Sequence, residues 1–188
     1  MTIVIRSANR TFLSPSPLSS IDKYLHAAAN IISFNPLIAP AFEVRGGALE
    51  LQLHERVTYA VTGDATVLAD GEQAETWRAG VAQRSLEVKA TGTAYVSIKG
   101  LQVSSVEPAQ VRPGLSLAAV NPDSVPPKVL QAVKIPAGLK YPQNDWLESV
   151  SRLQRHVALV ADAVQRGAEL VKVKVGGSEY EVWVLELE

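Results

Sequence analysis

Apolar and polar positions alternate through most of the first half of this 188-residue chain. A β-branched run at residues 2–6, with Ile3 and Ile5 on one face, predicts a short first strand. Residues 7–20 are polar, hold Pro15 and Pro17, and predict a loop. A helix follows. Ser19 and Asp22 have capping-box spacing with Asp in place of Glu, and Ile21, Tyr24, Leu25, Ala28, Ala29 and Ile32 form one apolar stripe. Asn35-Pro36 predicts its end, because the residue before a proline avoids the helical region. From residue 41 to 106 the period changes to two. Phe42 and Val44, then Leu49, Leu51 and Leu53, then Val57, Tyr59 and Val61 alternate with polar residues, and Leu86, Val88, Ala94, Val96 and Ile98 continue the series. Gly46-Gly47, His54-Glu55, Gly63-Asp64, Asp70-Gly71, Gly80 and Gly92 read as the turns between strands. Short alternating strands at this spacing predict an antiparallel barrel or sandwich.

Residues 106–142 hold Pro108, Pro113, Pro122, Pro126, Pro127, Pro136 and Pro142 and read as a connector, with strands expected at 115–120 and 129–135. At 144–166 the period returns to that of a helix. Trp146, Val150, Leu153, Val157, Val160 and Val164 are spaced by four and three, the seam of a heptad pattern, with Asn144 as the expected cap and Arg166-Gly167 at the far end. Residues 170–175 and 180–187 flank Gly176-Gly177-Ser178, a hairpin signal, with Val171, Val173 and Val175 on one face and Lys172 and Lys174 on the other. The expected fold is therefore mainly β: a small barrel (1–106), a proline-rich connector (107–143), and a long helix plus β-hairpin (144–188), with one further helix near the start.

Composition narrows the function. Hydrophobic residues make up 47% of the chain, enough for a core and too many for a disordered segment. Lys and Arg number 18 against 19 Asp and Glu, so there is no basic excess of the kind phosphate contacts require, and nucleic acid is not the expected partner. Without cysteine there is no thiolate nucleophile, thiolate zinc site or disulfide. The apolar stretch 25–42 is broken by Asn30, Ser33, Asn35, Pro36 and Pro40 and does not predict a membrane span. With a start unlike a signal peptide, a cytoplasmic location is expected. His26, His54 and His156 have no metal-ligand spacing, and no cofactor or metal is expected. The glycine pairs match no phosphate loop, and no GxSxG or SxxK motif is present. Asp64 and Asp70 fall at expected loop tips, where a carboxylate either binds a ligand or forms the turn. Trp77 either stacks on a ligand or caps the barrel. The seam Trp146, Val150, Leu153, Val157 and Val160 either recruits a partner or packs on its own barrel.

The order of signals carries more. Ser20-Ile21-Asp22, Ala29-Asn30, Asn35-Pro36, Ala41-Phe42-Glu43-Val44, Gly46-Gly47, Val61-Thr62-Gly63-Asp64, Asp70-Gly71-Glu72, Trp77-Arg78-Ala79-Gly80 and Ala94-Tyr95-Val96-Ser97-Ile98-Lys99-Gly100 follow one another. This series resembles the first half of the allophanate hydrolase subunit 2 family. That family includes the KipA-like components of 5-oxoprolinase and the carboxyltransferase region of urea carboxylases. The resemblance implies cyclophilin-like β-barrels with peripheral helices, a companion subunit 1 (KipI-like) protein or self-association, and amide-hydrolysing or carboxyl-transferring chemistry. It places Asp22, Asn30, Asp64 and Trp77 as ligand-binding candidates. The chain departs from the family's Gln-Asp-x-Gly-Arg loop, since residues 7–19 hold no glycine, and it is shorter than typical members. The expectation is a shortened, non-catalytic interaction or regulatory subunit. The alternative is a subunit of an enzyme complex completed by another chain.

Overall fold

The computed structural model describes residues 1–142 and 145–185. Its strands in chain order are β1 (Thr2–Ser14), β2 (Ala41–Leu53), β3 (Val57–Ala69), β4 (Glu72–Ala74), β5 (Ala79–Ala82), β6 (Ser85–Ile98), β7 (Leu101–Gln102), β8 (Ala109–Gln110), β9 (Ser116–Ala119), β10 (Glu169–Val175) and β11 (Ser178–Val184). The helices are α1 (Lys23–Ile32), α2 (Pro127–Ala132) and α3 (Trp146–Gln165). One antiparallel sheet runs β4-β3-β6-β2-β1-β9-β7, with β5 also on β3 and β8 also on β1; β10 and β11 form a separate two-stranded sheet. The chain is thus mainly β, a curled sheet with helices against one face, as the pattern predicts. Among the described residues no helix is long and apolar enough to cross a membrane.

The sheet curls because its four long strands bend along one line. On β1 the register slips at Arg10, on β2 at Gly46-Gly47, and on β3 at Asp64. On β6 the residues facing these slips include Thr91 and Gly92. Each slip is a bulge, which bends a strand and increases its twist. The expected turns at Gly46-Gly47, Gly63-Asp64 and Gly92 are therefore bulges inside continuous strands of 13 or 14 residues. The expected turn at Gly80 lies within β5, where its missing side chain makes room for the ring of Tyr59 directly opposite. His54-Glu55 and Asp70-Gly71 do separate strands.

Two further expectations are corrected. Residues 7–14 are not loop but the second half of β1, paired with β2 through Ser14 and Ala41. Their polar residues lie largely on its exposed side, and Thr11, Leu13 and Ser14 are buried. The strand expected at 129–135 is instead α2. Pro127 occupies the first turn, where its missing N–H is harmless, and Val129, Leu130 and Val133 share a buried face at helical spacing. The strand expected at 115–120 is present as β9.

Two cores result. Inside the curl lie Ile3, Ile5, Phe42, Leu49, Leu51, Val61, Leu86, Val88, Val96 and Ile98. On the other face α1, α2 and α3 enclose Tyr24, Ala28, Ile32, Trp77, Leu130, Val150, Leu153 and Val157. The strands β2, β3 and β6 are therefore buried on both faces where they pass under α1.

Candidate functional site

The face of the sheet beneath α1 carries polar side chains. Glu43, Tyr95 and Thr62 lie side by side on β2, β6 and β3, with Ser97 two positions further on β6. All four are buried. The Ile21 N–H donates to Glu43 Oε2 at 3.1 Å and the Asp22 N–H to Tyr95 Oη at 2.9 Å, while the Tyr95 hydroxyl donates to Glu43 Oε2 at 2.5 Å. Arg45 Nε lies 2.5 Å from Glu43 Oε1, and Thr62 donates to the Leu25 carbonyl at 2.7 Å. Burial, and then the bond to Glu43, push the Tyr95 phenol far above its ordinary value, so it stays a donor. This strip seats the amino end of α1 on the sheet.

Two of the expected ligand positions belong to the same packing. Asp22 caps α1, its Oδ1 accepting the Leu25 N–H at 2.9 Å. The cap is Asp22 and not Ser19, which closes a preceding 3-10 turn, so Ile21 lies outside the helix and is exposed. Asn30 is buried. Its Nδ2 donates to the carbonyls of Leu37 and Ala39 at 3.1 and 2.7 Å, and its Oδ1 accepts from Ser97 at 2.7 Å. Trp77 is buried in the second core beside Tyr24, with ring centroids 6.3 Å apart. Asp64 is exposed at the β3 bulge, where its carbonyl accepts from Thr91 at 3.3 Å. Asp22, Asn30 and Trp77 thus surround α1 as packing residues, and Asp64 stands apart at the bend.

His26 joins the network with no exposed surface. Its Nε2 lies 2.8 Å from the Ala39 carbonyl and its Nδ1 2.5 Å from Ser20 Oγ. A carbonyl only accepts, so Nε2 carries the hydrogen and the serine hydroxyl donates to Nδ1 of a neutral ring. Burial lowers the imidazole pKa to about 4, against smaller opposing pulls from the Ala39 carbonyl and Glu43. The unfolded ring keeps its ordinary value of 6.5. Between these values the unfolded chain binds a proton that the fold excludes. Stability is therefore complete above about pH 6.5 and falls by about 3 kcal/mol as pH drops towards 4. Urea-unfolding midpoints across this range check the slope. The difference between wild type and His26→Gln should shrink as pH falls; a difference independent of pH would rule His26 out as the cause.

The seam of α3 turns inward. Val150, Leu153 and Val157 are buried against α1 and α2, so these three expected partner contacts are taken by the chain's own helices. Trp146 and Val160 are half-buried at the margin of the same core. The helix is capped by Asp145, whose Oδ1 accepts the Leu147 N–H at 3.0 Å. The cap expected at Asn144 lies outside the described residues.

The hairpin β10–β11 behaves differently. Its register pairs Val171 with Val182 and Val173 with Tyr180 on one face, and Leu170 with Trp183 and Lys172 with Glu181 on the other. The second face turns towards the body, where Lys134 Nζ lies 2.9 Å from Glu181 Oε2. Lys134 holds the Glu181 carboxyl below its usual range. Between this face, α2 and α3 lies a cleft of about 680 Å³. Sequence reasoning named Arg78, His156, Val160 and Val164 separately but did not join them to one another or to Lys128 and Lys134, because they belong to different segments of the chain. The outer face is left to solvent: Val171, Val173, Val175, Tyr180, Val182 and Val184 are between 37% and 61% exposed.

No family model matches the chain, and no curated protein matches it. Solved structures do. The urea amidolyase of K. lactis superposes with a TM-score of 0.57 and 17% identity over 71% of this chain and 11% of its own. The Kluyveromyces lactis urea carboxylase gives 0.57 and 18% over 65% of this chain and 14% of its own. TTHA0988 gives 0.53 and 15% over 77% of this chain and 34% of its own. The chain thus spans a small part of each of these proteins, and what it shares with that part of urea amidolyase, urea carboxylase and TTHA0988 is the fold.

Proposed function

We propose that this chain is a homologue of the KipA-like 5-oxoprolinase component and allophanate hydrolase subunit 2 that works as a non-catalytic interaction subunit, joining a second copy of itself through the outer face of the β10–β11 hairpin. That face carries the proposal. A two-stranded hairpin is at best marginally stable in water unless its apolar side is covered, and six apolar side chains of this one are open. A second copy suits the chemistry. The three pairs Val171–Val182, Val173–Tyr180 and Val175–Ser178 leave the middle and turn end of the face uncharged, with Glu169 at its far end beside Val184, so two copies related by a twofold axis can meet over the uncharged part. Lys172, Lys174, Glu179 and Glu181 all point to the other side. The surface buried by a pair is on the order of 1,000 Å², the lower bound for a specific interface. The inward use of Asp22, Asn30 and Trp77 favours a role without catalysis.

Light scattering tests it. The chain should have the mass of a dimer, and Val173→Lys should give a folded monomer, because the substituted position is exposed in the single chain. A wild-type monomer, or a dimer indifferent to Val173→Lys, sinks the reading. A second reading, a subunit of an amide-hydrolysing or carboxyl-transferring complex, is favoured by the fold shared with urea amidolyase and urea carboxylase. It requires that mixing with the companion subunit 1 protein shift the mass and produce turnover.

A further inference from the structure

The cleft behind the hairpin has the makeup of a small-molecule site. Its volume of about 680 Å³ falls in the range of ligand pockets. Its lining is of two kinds. Val160 and Val164 of α3 and the paired Leu170 and Trp183 of the hairpin supply apolar walls. Trp183 is the one residue of β10 and β11 that is half-buried, the others being exposed. Arg78, Lys128 and Lys134 supply cations to the same cleft.

The charges have an order. Glu181 is taken by Lys134 at 2.9 Å, and Arg78 reaches Glu75 at 3.6 Å. Glu169 and Glu181 are the carboxylates that line the cleft. Among the described residues no ion pair engages Lys128. His156 Nε2 donates to the Lys134 carbonyl at 2.9 Å. The same carbonyl-bearing residue also ties the hairpin down through its side chain, and its backbone bridges to Arg78. The basic wall is therefore fixed relative to the aromatic one. A partly enclosed space with a free ammonium and an indole in its lining fits an anion joined to a flat apolar body.

The geometry points to this cleft as a binding site for a small carboxylate with an aromatic or other flat apolar body. The carboxylate sits at Lys128, with Arg78 beside it, and the body lies between Trp183 and the valines of α3. This does not depend on the dimer reading, because the lining comes from one copy.

The test uses 4-phenylbutyrate as probe, with its uncharged amide and inorganic phosphate as comparisons, in calorimetric titration of the whole chain. Saturable binding of 4-phenylbutyrate is expected, with affinity at least tenfold lower for the amide and for Lys128→Gln. Phosphate alone should bind too weakly to saturate. Trp183 fluorescence should change on binding, and Trp183→Phe should remove that change while leaving the far-ultraviolet circular dichroism intact. Equal affinity for acid and amide, or no effect of Lys128→Gln, overturns the anion site. Failure to saturate with a correctly folded protein overturns the cleft as a site for this ligand class. The mass of the protein, followed in the same samples, reports separately on dimerisation.

Discussion

Gly63→Ala should destabilise the chain by at least about 3 kcal/mol and lower its melting temperature by roughly 6–12 °C. Gly63 stands on β3 at the bend with φ of +88°, and a β-carbon there would lie 2.3 Å from the Thr93 carbonyl oxygen and 3.0 Å from the Ala94 α-carbon. Both obstacles are backbone in the neighbouring strand, so neither can swing away as a side chain would. Two effects add: the left-handed backbone, worth about 1–2 kcal/mol for a residue with a β-carbon, and the clash. The chain supplies its own control. Gly71 has the same φ of +88° in the turn before β4, with no atom within 4 Å of where a β-carbon would stand. Gly71→Ala carries the first effect alone and should lose about 1–2 kcal/mol. Thermal and urea unfolding of the two variants measure the difference. Equal losses would mean that β3 and β6 are not held together tightly at the bend.

Glu43→Ala is the second large effect. It removes a buried carboxylate and leaves the Ile21 N–H, the Tyr95 hydroxyl and Arg45 without their acceptor. Removing one member of a buried charged network costs about 3–5 kcal/mol, chiefly because the remaining polar groups stay dry and unpaired. Replacing both ends with apolar groups of similar shape removes only the share of that penalty borne by the Tyr95–Glu43 pair, because the Ile21 and Asp22 N–H groups still lose their acceptors. The pair Glu43→Leu with Tyr95→Phe should therefore lose less than the sum of the two single changes. Urea unfolding of the three variants closes the cycle. Additive losses would show that the strip acts as separate contacts and not as one unit.

The residues explain what was legible. Periods of two and of three to four report burial on one face, and they located the β-rich half, α3 and the tail hairpin. They fail where both faces are buried. Glu43, Thr62 and Ser97 read as the solvent side of alternating strands, yet α1 lies over them and supplies the polar partners that make their burial tolerable. Glycine was ambiguous for a related reason. Gly46 and Gly63 supply the left-handed backbone that a reversing chain and a bulging strand both use, and only pairing with the neighbouring strand distinguishes the two. Residues 129–135 are rich in β-branched side chains, but Pro126-Pro127 and the positions of Val129, Leu130 and Val133 fit a helix turn. The resemblance offered Asp22, Asn30 and Trp77 as ligand-binding candidates, and in the fold they lie in or beside α1 with packing and capping partners. The cleft combines residues from β5's flank, α2, α3 and the tail, and no local pattern joins them.

The position of β1 sets a timetable for folding. It lies in the middle of the sheet, between β2 and β9, and Thr2 pairs with Ala118 while Ile3 pairs with Leu117. A ribosome delivers β1 and β2 early and β9 much later, so one edge of β1 waits open while the intervening strands are made. During that interval its backbone N–H and C=O groups can recruit any passing strand, as unpaired edges do. Arg6, Ser7 and Asn9, polar and outward on that strand, make it a poor template for such pairing. Ser7 and Asn9, which read as loop in the sequence, are thus among the residues that keep the open edge of β1 out of wrong company.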